Sequence, residues 1–249
     1  MITRALLPAL LLLAAACAHR PSAKDVASAR IHFDLALERQ KAGDAKEAYQ
    51  QIEKAISLDP NFAPNFNAKG LMLHLSFARH DEAIAAYQQA LKLDPKYSEV
   101  HTNLGNVYLD QARYDEAIAE YEKALADMLY VTPWFAHGNL GWAHHKAGRS
   151  DEAVKAIARA IDLNDGFCQG HRNLGIIHEE RGELPEALAS YRRFRESCPE
   201  VPEAYRREGE VQALLGEVDQ ARNSFALCEA KATDRQVKEE CQARAEKLD

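Results

Sequence analysis

One register governs the chain. A small residue recurs about every 34 positions, at Ala36, Gly70, Gly105, Gly141, Gly175 and Gly209. Seven or eight residues later stands a residue suited to a turn: Gly43, Ala78, Ala112, Gly148, Gly182 and Gly216. Then comes a further small residue, Ala48, Ala83, Ala117, Ala153, Ala187 or Ala221, and four places on a large one, Ile52, Tyr87, Tyr121, Ile157, Tyr191 or Phe225. Small residues at facing positions let two antiparallel helices approach closely, and the large one fills the space to the next pair. Pro60, Pro95 and Pro199 close three of the repeats, where a helix must stop. One such pair cannot bury its apolar face alone, so stacking has to supply the core. The register predicts an all-α chain of six helix-turn-helix repeats, at about 29–62, 63–97, 98–131, 134–167, 168–201 and 202–235, with a polar capping helix over 236–249.

The segments "NLGNVYLDQARYDEAIAEYEKAL" and "NLGIIHEERGELPEALASYRRF" resemble the tetratricopeptide repeat, which implies a superhelical solenoid. Two places depart from the register. The second repeat carries one extra residue around "GLMLHLSFA", and "ADMLYVTPWFAHGNLG" replaces the usual ending of the third and adds two residues. Pro133 breaks the helix there, with Tyr130, Trp134 and Phe135 crowded beside it.

The N-terminus has its own logic. Arg4 precedes an apolar run from Ala5 to Ala16, interrupted by Pro8. Twelve helical residues cover roughly 18 Å, against a bilayer core of about 30 Å, so the run reads as a signal peptide over 1–16 and not as a span. Its end, Ala14-Ala15-Ala16 before Cys17, resembles the lipobox of bacterial lipoproteins, although leucine is usual where Ala14 stands. That resemblance implies a covalent lipid on Cys17 and, with Ala18 following, the periplasmic face of the outer membrane. Several acyl chains suffice for stable anchoring. Residues 17–28 then read as the lipidated cysteine and a tether. Without the signal peptide, whose only charged side chain is Arg4, the net charge goes from −7 to −8. A mildly acidic chain with no dense basic block argues against nucleic acid.

Chemistry is scarce. There is no glycine-rich phosphate loop and no G-x-S-x-G. His137 could share a helix face with His144 but not with the adjacent His145, and Cys168, His171 and His178 could share one, yet neither spacing fits a closed zinc site. The expectation is no enzyme, no metal, no cofactor and no small-molecule substrate. Four cysteines remain beyond Cys17, and an exported chain can pair them. Cys168 begins the first helix of the fifth repeat and Cys198 ends its second; Cys228 lies late in the sixth repeat and Cys241 early in the capping helix. Antiparallel packing therefore favours Cys168–Cys198 and Cys228–Cys241, with four free thiols as the alternative.

The first-helix positions that such arrays turn to their concave groove are Phe33, Leu37, Asn67, Leu71, Thr102, Asn106, Trp142, His145, Arg172 and Ile176. Phe33, Leu37, Leu71 and Trp142 are not required by the fold and suggest a protein partner with apolar anchors. A carboxylate clamp would want lysine or arginine where the first repeat presents Phe33 and Leu37. Asn103, Asn139 and Asn173, two residues before the repeat glycine, read as structural. The lipobox, six repeats filling the chain and the junction "DMLYVTPWFAHGNLG" together resemble the Tgl/PilW/PilF family of outer-membrane lipoproteins, most of all its Tgl members. That resemblance implies a type IV pilus pilotin: it would bind secretin subunits and promote their membrane insertion and multimerisation, serving pilus-driven motility. The competing expectation is a periplasmic scaffold lipoprotein that recruits cell-wall or other envelope assembly proteins, and co-purification separates the two.

Overall fold

The structure, a computed structural model, describes residues 21–248. The signal peptide, Cys17 and the start of the tether lie outside the described residues, as does Asp249. The first helix, α1 (Ala23–Lys41), begins inside the segment expected to be tether, six residues ahead of Ala29. Its start is fixed by a capping box: the Asp25 N–H donates to Ser22 Oγ at 3.2 Å, and the Ser22 N–H donates to the Asp25 carboxylate at 3.0 Å. Two otherwise unpaired helix-end donors are satisfied reciprocally, so the helix can start there.

The chain divides into two compact units, one up to Asn61 and one from Phe62. In the first, α1 packs antiparallel on α2 (Ala45–Leu58), burying Ala36, Ala48, Ile52 and Ala55. The second unit contains five helix pairs. They are α3 (Ala63–Leu71) with α4 (His80–Leu93), α5 (Ser98–Asp110) with α6 (Tyr114–Leu125), α7 (Pro133–Lys146) with α8 (Ser150–Leu163), α9 (Cys168–Glu180) with α10 (Leu184–Ser197), and α11 (Pro202–Leu214) with α12 (Val218–Lys231). A last helix, α13 (Arg235–Glu246), packs on α12 as the cap. Asp234 starts it, its side chain accepting from the N–H groups of Gln236 and Val237. Within this unit each helix touches its chain neighbour, and α7 also touches α5 and α9, so these three first helices run side by side.

The small-to-large pairing read from the register is the core of this unit. A Cβ at Gly70 would lie 2.5 Å from the Tyr87 ring, one at Gly105 2.6 Å from Tyr121, one at Gly141 2.5 Å from Ile157, and one at Gly209 2.8 Å from Phe225; Gly175 meets Tyr191 in the same way. Tyr87, Tyr121, Ile157, Tyr191 and Phe225 are buried as a result. Each such side chain removed from water stabilises by about 1.5–3 kcal/mol.

All six turn positions adopt positive φ, but two of them are not glycine: Ala78 at 52° and Ala112 at 57°. A left-handed alanine is strained against its own carbonyl, whereas glycine is not. Replacing Ala112→Gly is therefore expected to raise stability by ~0.5–1 kcal/mol, and Gly148→Ala, at φ 77° with open space around it, to lower it by a similar amount. Urea midpoints at unchanged slope would show both shifts.

The two irregularities are resolved locally. The extra residue of the second repeat is absorbed by a π turn over Met72–Ser76, where the Phe77 N–H reaches back to the Met72 carbonyl at 3.2 Å. The third repeat's odd ending stops α6 at Leu125 and leaves 126–132 as turns before Pro133 starts α7, at a first-turn position where a missing N–H costs nothing.

Candidate functional site: groove, junction loop and cysteine pairs

Groove residues of the second unit come together around α3, α5 and α7. Asn67, Leu71, Thr102 and Asn106 line one cavity of about 330 Å3 with Tyr130, Thr132, Phe135 and Asn139. An amide ladder crosses its floor. Asn103 Nδ2 donates to Asn67 Oδ1 at 3.0 Å, and Asn139 Nδ2 to Asn106 Oδ1 at 2.8 Å. Asn103 and Asn139 thus spend a donor each on joining repeats, which fits their structural reading. Asn106 Oδ1 also accepts from the Tyr121 hydroxyl at 2.8 Å. In the preceding repeat Leu71 stands where Asn106 does, and the buried Tyr87 hydroxyl has no hydrogen-bond partner among the described residues.

The other candidates divide. Phe33 and Leu37 belong to the first unit, half-buried and exposed respectively. Two of the candidates have little exposed surface. Thr102 is buried, its hydroxyl donating to the Ser98 carbonyl at 3.1 Å and lying 3.1 Å from the Tyr130 hydroxyl. Ile176 is buried too, in the cluster of Ala187, Tyr191 and Phe194 with Trp142 packed against it. Tyr130 of the junction covers the first, and side chains of α10 together with Trp142 cover the second. The Trp142 ring lies tilted against His145, with centroids 4.8 Å apart, and carries the Lys146 ammonium at 5.1 Å. Arg172 is held by Glu203 at 3.0 Å.

The junction loop presents what the groove list missed. Met128, Leu129 and Val131 are 98%, 86% and 71% exposed, while Tyr130 between them is buried in the groove wall. On its other side Met128 and Leu129 edge a cavity of about 680 Å3 with Pro95, His101 and Ala126, rimmed by Lys96 and Lys123. Three exposed large apolar side chains within four successive residues are unusual on a solvated surface. Asp127 fixes the loop, accepting from the Leu129 N–H at 2.9 Å and the Ser98 hydroxyl at 2.8 Å, which holds its carboxyl below the ordinary value. The sequence signal was the broken register; it pointed to the segment but not to which of its side chains face out.

The cysteines stand as expected, in two pairs at disulfide distance: Cys168–Cys198 with Cα atoms 5.9 Å apart, and Cys228–Cys241 at 6.0 Å. Cys168 is thereby unavailable to a metal set with His171 and His178. His171 instead points Nε2 at the Asp165 carbonyl, 2.8 Å away, and His178 Nδ1 meets Glu183 at 2.6 Å.

Burial holds the imidazoles of His137, His144 and His145 below the ordinary histidine value. Arg159 adds to this at His137 and Arg149 at His144; Glu152, Glu122 and Asp115 oppose it at His144. At His145 Glu180 opposes it and Lys146 adds to it. Buried Nδ1 atoms of His144 and His145 without a hydrogen-bond partner among the described residues suit the neutral ring. A folded-state value below the unfolded one means that the unfolded chain binds more protons in this range. The contribution of these groups is complete above about pH 6.5 and is lost as pH falls below it. The melting temperature should drop from about pH 7.5 to about pH 5.5, and His144→Gln with His145→Gln should flatten that drop. An unchanged slope in the double variant would refute the assignment.

Tetratricopeptide-repeat profiles match residues 29–62, 79–112, 96–165 and 172–234. Residues 63–78, which hold the π turn, lie between the first two of these matches. The "Small glutamine-rich tetratricopeptide repeat-containing protein 2" of Mycosarcoma maydis is 36% identical over 89 residues, 34% of this chain and 24% of that protein. This chain therefore spans about a quarter of that relative. Among solved structures, PilW, described as a widely conserved type IV pilus biogenesis factor, superposes with a TM-score of 0.77 at 23% identity, covering 86% of this chain and 98% of PilW. Pseudomonas aeruginosa PilF superposes at 0.75 and 19% identity, over 88% of this chain and 99% of PilF. At those identities the likeness is one of fold. Helix pairing, register and sequence profiles agree: the chain belongs to the tetratricopeptide-repeat family.

Proposed function

We propose that this protein is a pilotin: an outer-membrane lipoprotein that binds subunits of a type IV pilus secretin and promotes their insertion and multimerisation. The observation that carries the reading is the extent of the superposition on PilW and PilF. Nearly the whole of each of those chains is matched, not a few shared repeats. The lipobox before Cys17 and cysteine pairs suited to an oxidising compartment support it. Kinship with the Tgl members in particular rests on the sequence resemblance alone.

In this reading the protein makes and breaks no bond. Its partner is a protein, its only attached group the lipid on Cys17, and its membrane contact that lipid; among the described residues no helix is long and apolar enough to cross a bilayer. Since α1 starts at Ala23, only residues 18–22 separate it from Cys17, a reach of at most about 18 Å. Secretin subunits held by the array would be concentrated at the membrane that the lipid on Cys17 engages, with Met128, Leu129 and Val131 receiving their apolar surface.

Cells lacking the protein, or carrying Cys17→Ala, should accumulate secretin monomer in place of heat- and detergent-resistant multimer. Met128→Asp with Leu129→Asp should reduce multimers at an unchanged level of this protein. Normal multimers in the deletion strain would end the pilotin reading, and co-purification of murein synthases or hydrolases would favour the scaffold instead.

A further inference from the structure

Among the described residues, one group of three metal-capable side chains lies within reach of a single ion: His74, His80 and Asp110, whose ligand atoms all fall within 4.8 Å of one another. We propose that these three residues form a binding site for a divalent transition-metal ion, with zinc as the first candidate.

The site is a product of the π turn. His74 sits within Met72–Ser76, and His80 is the first residue of α4, after the left-handed Ala78. Asp110 ends α5 in the next repeat, 36 residues from His74. The buried His74 ring points Nε2 at Asp110 Oδ2, 2.7 Å away, and the His80 ring stands edge-on to it with centroids 5.6 Å apart. Zinc bonds of 2.0–2.2 Å at tetrahedral angles place ligand atoms about 3.4 Å apart. The carboxylate therefore has to withdraw by about 0.7 Å, and the imidazole of His80 to approach by at most about 1.4 Å. An exposed aspartate and a half-buried histidine can both do so by side-chain rotation.

Two imidazoles and one carboxylate suit zinc and its neighbours better than magnesium or calcium, which prefer all-oxygen shells. Three protein ligands leave a fourth position open, and a cavity of about 330 Å3 beside His80, lined by Ala78, Asp81 and Gln111, lets water fill it. The neighbouring cation is engaged, since Arg79 forks onto Glu82 at 2.6 Å. π turns recur at functional sites because they redirect a side chain that a regular helix would point elsewhere. A bound ion would fasten α3 and α4 to α5, bracing the second repeat against the third where the register is broken.

The test is calorimetric titration of Zn2+ into the chelator-stripped full chain under non-reducing conditions, with Co2+ absorption as a second readout. One saturable equivalent is expected. His80→Ala and Asp110→Asn, both at sites with exposed surface, should each weaken it at least ~10-fold, and His144→Ala with His145→Ala should leave it unchanged. Zinc should also raise the melting temperature of the parent chain but not of His80→Ala. No saturable binding, or binding indifferent to both His80→Ala and Asp110→Asn, would overturn the site.

Discussion

Opening the cysteine pairs is expected to lower the stability of the C-terminal repeats by about 3 kcal/mol for Cys228–Cys241 and slightly more for Cys168–Cys198. The ordering follows from the chain each pair closes, separations of 13 and 30 residues, since a longer loop has more freedom to lose when it is crosslinked. The consequence is greater here than in a globular domain, because a repeat is held only by its neighbours and a terminal repeat has one. Cys228 and Cys241 are fully buried against Tyr205 and Val237, so their pair pins the capping helix over the end of the core. Urea unfolding with and without reductant should show the loss. Hydrogen exchange should place it in α11–α13 first for Cys228→Ala with Cys241→Ala, and in α9 and α10 for Cys168→Ala with Cys198→Ala. Equal curves in both redox states would mean that the pairs do not stabilise the fold.

Gly141→Ala is expected to cost about 2–3 kcal/mol, near the upper end of what one added methyl does to a packed core. The reason is what the methyl meets. At Gly105 the three nearest atoms all belong to the Tyr121 ring, which can tilt. At Gly141 it meets Ile157 Cγ1 at 2.5 Å and also two backbone atoms, the Ala153 carbonyl oxygen at 2.9 Å and the Ile157 nitrogen at 3.1 Å. Relief requires α7 and α8 to move apart. Combining Gly141→Ala with Ile157→Ala should cost less than the two single losses together, because the new methyl occupies part of the space the isoleucine leaves. Strict additivity would show that the two sites do not share that space.

Most of the fold was legible because a solenoid is nearly one-dimensional: each helix meets the helices next to it in sequence. A 34-residue register therefore names its own contacts. Gly70 finds Tyr87 and Gly175 finds Tyr191 as the spacing required, and the six turn residues all take positive φ, even where the residue is Ala78 or Ala112. The cysteine pairs followed from the same rule, since the residues lie at helix ends that antiparallel neighbours bring together. The start of α1 was missed, although Ser22 and Asp25 carried its cap.

The register is silent where it breaks. The extra residue near Leu71 could have bulged anywhere; only the packed structure put it in a π turn and so set His74 against Asp110 and His80. The junction after Leu125 could be located from its sequence. Its backbone path, anchored by Asp127 and Tyr130, decided that Met128, Leu129 and Val131 would face outward and that Thr102 would be covered. Periodic positions obey a spacing that sequence alone contains. An insertion has no such spacing, and its side chains go where the neighbouring repeats leave room for them.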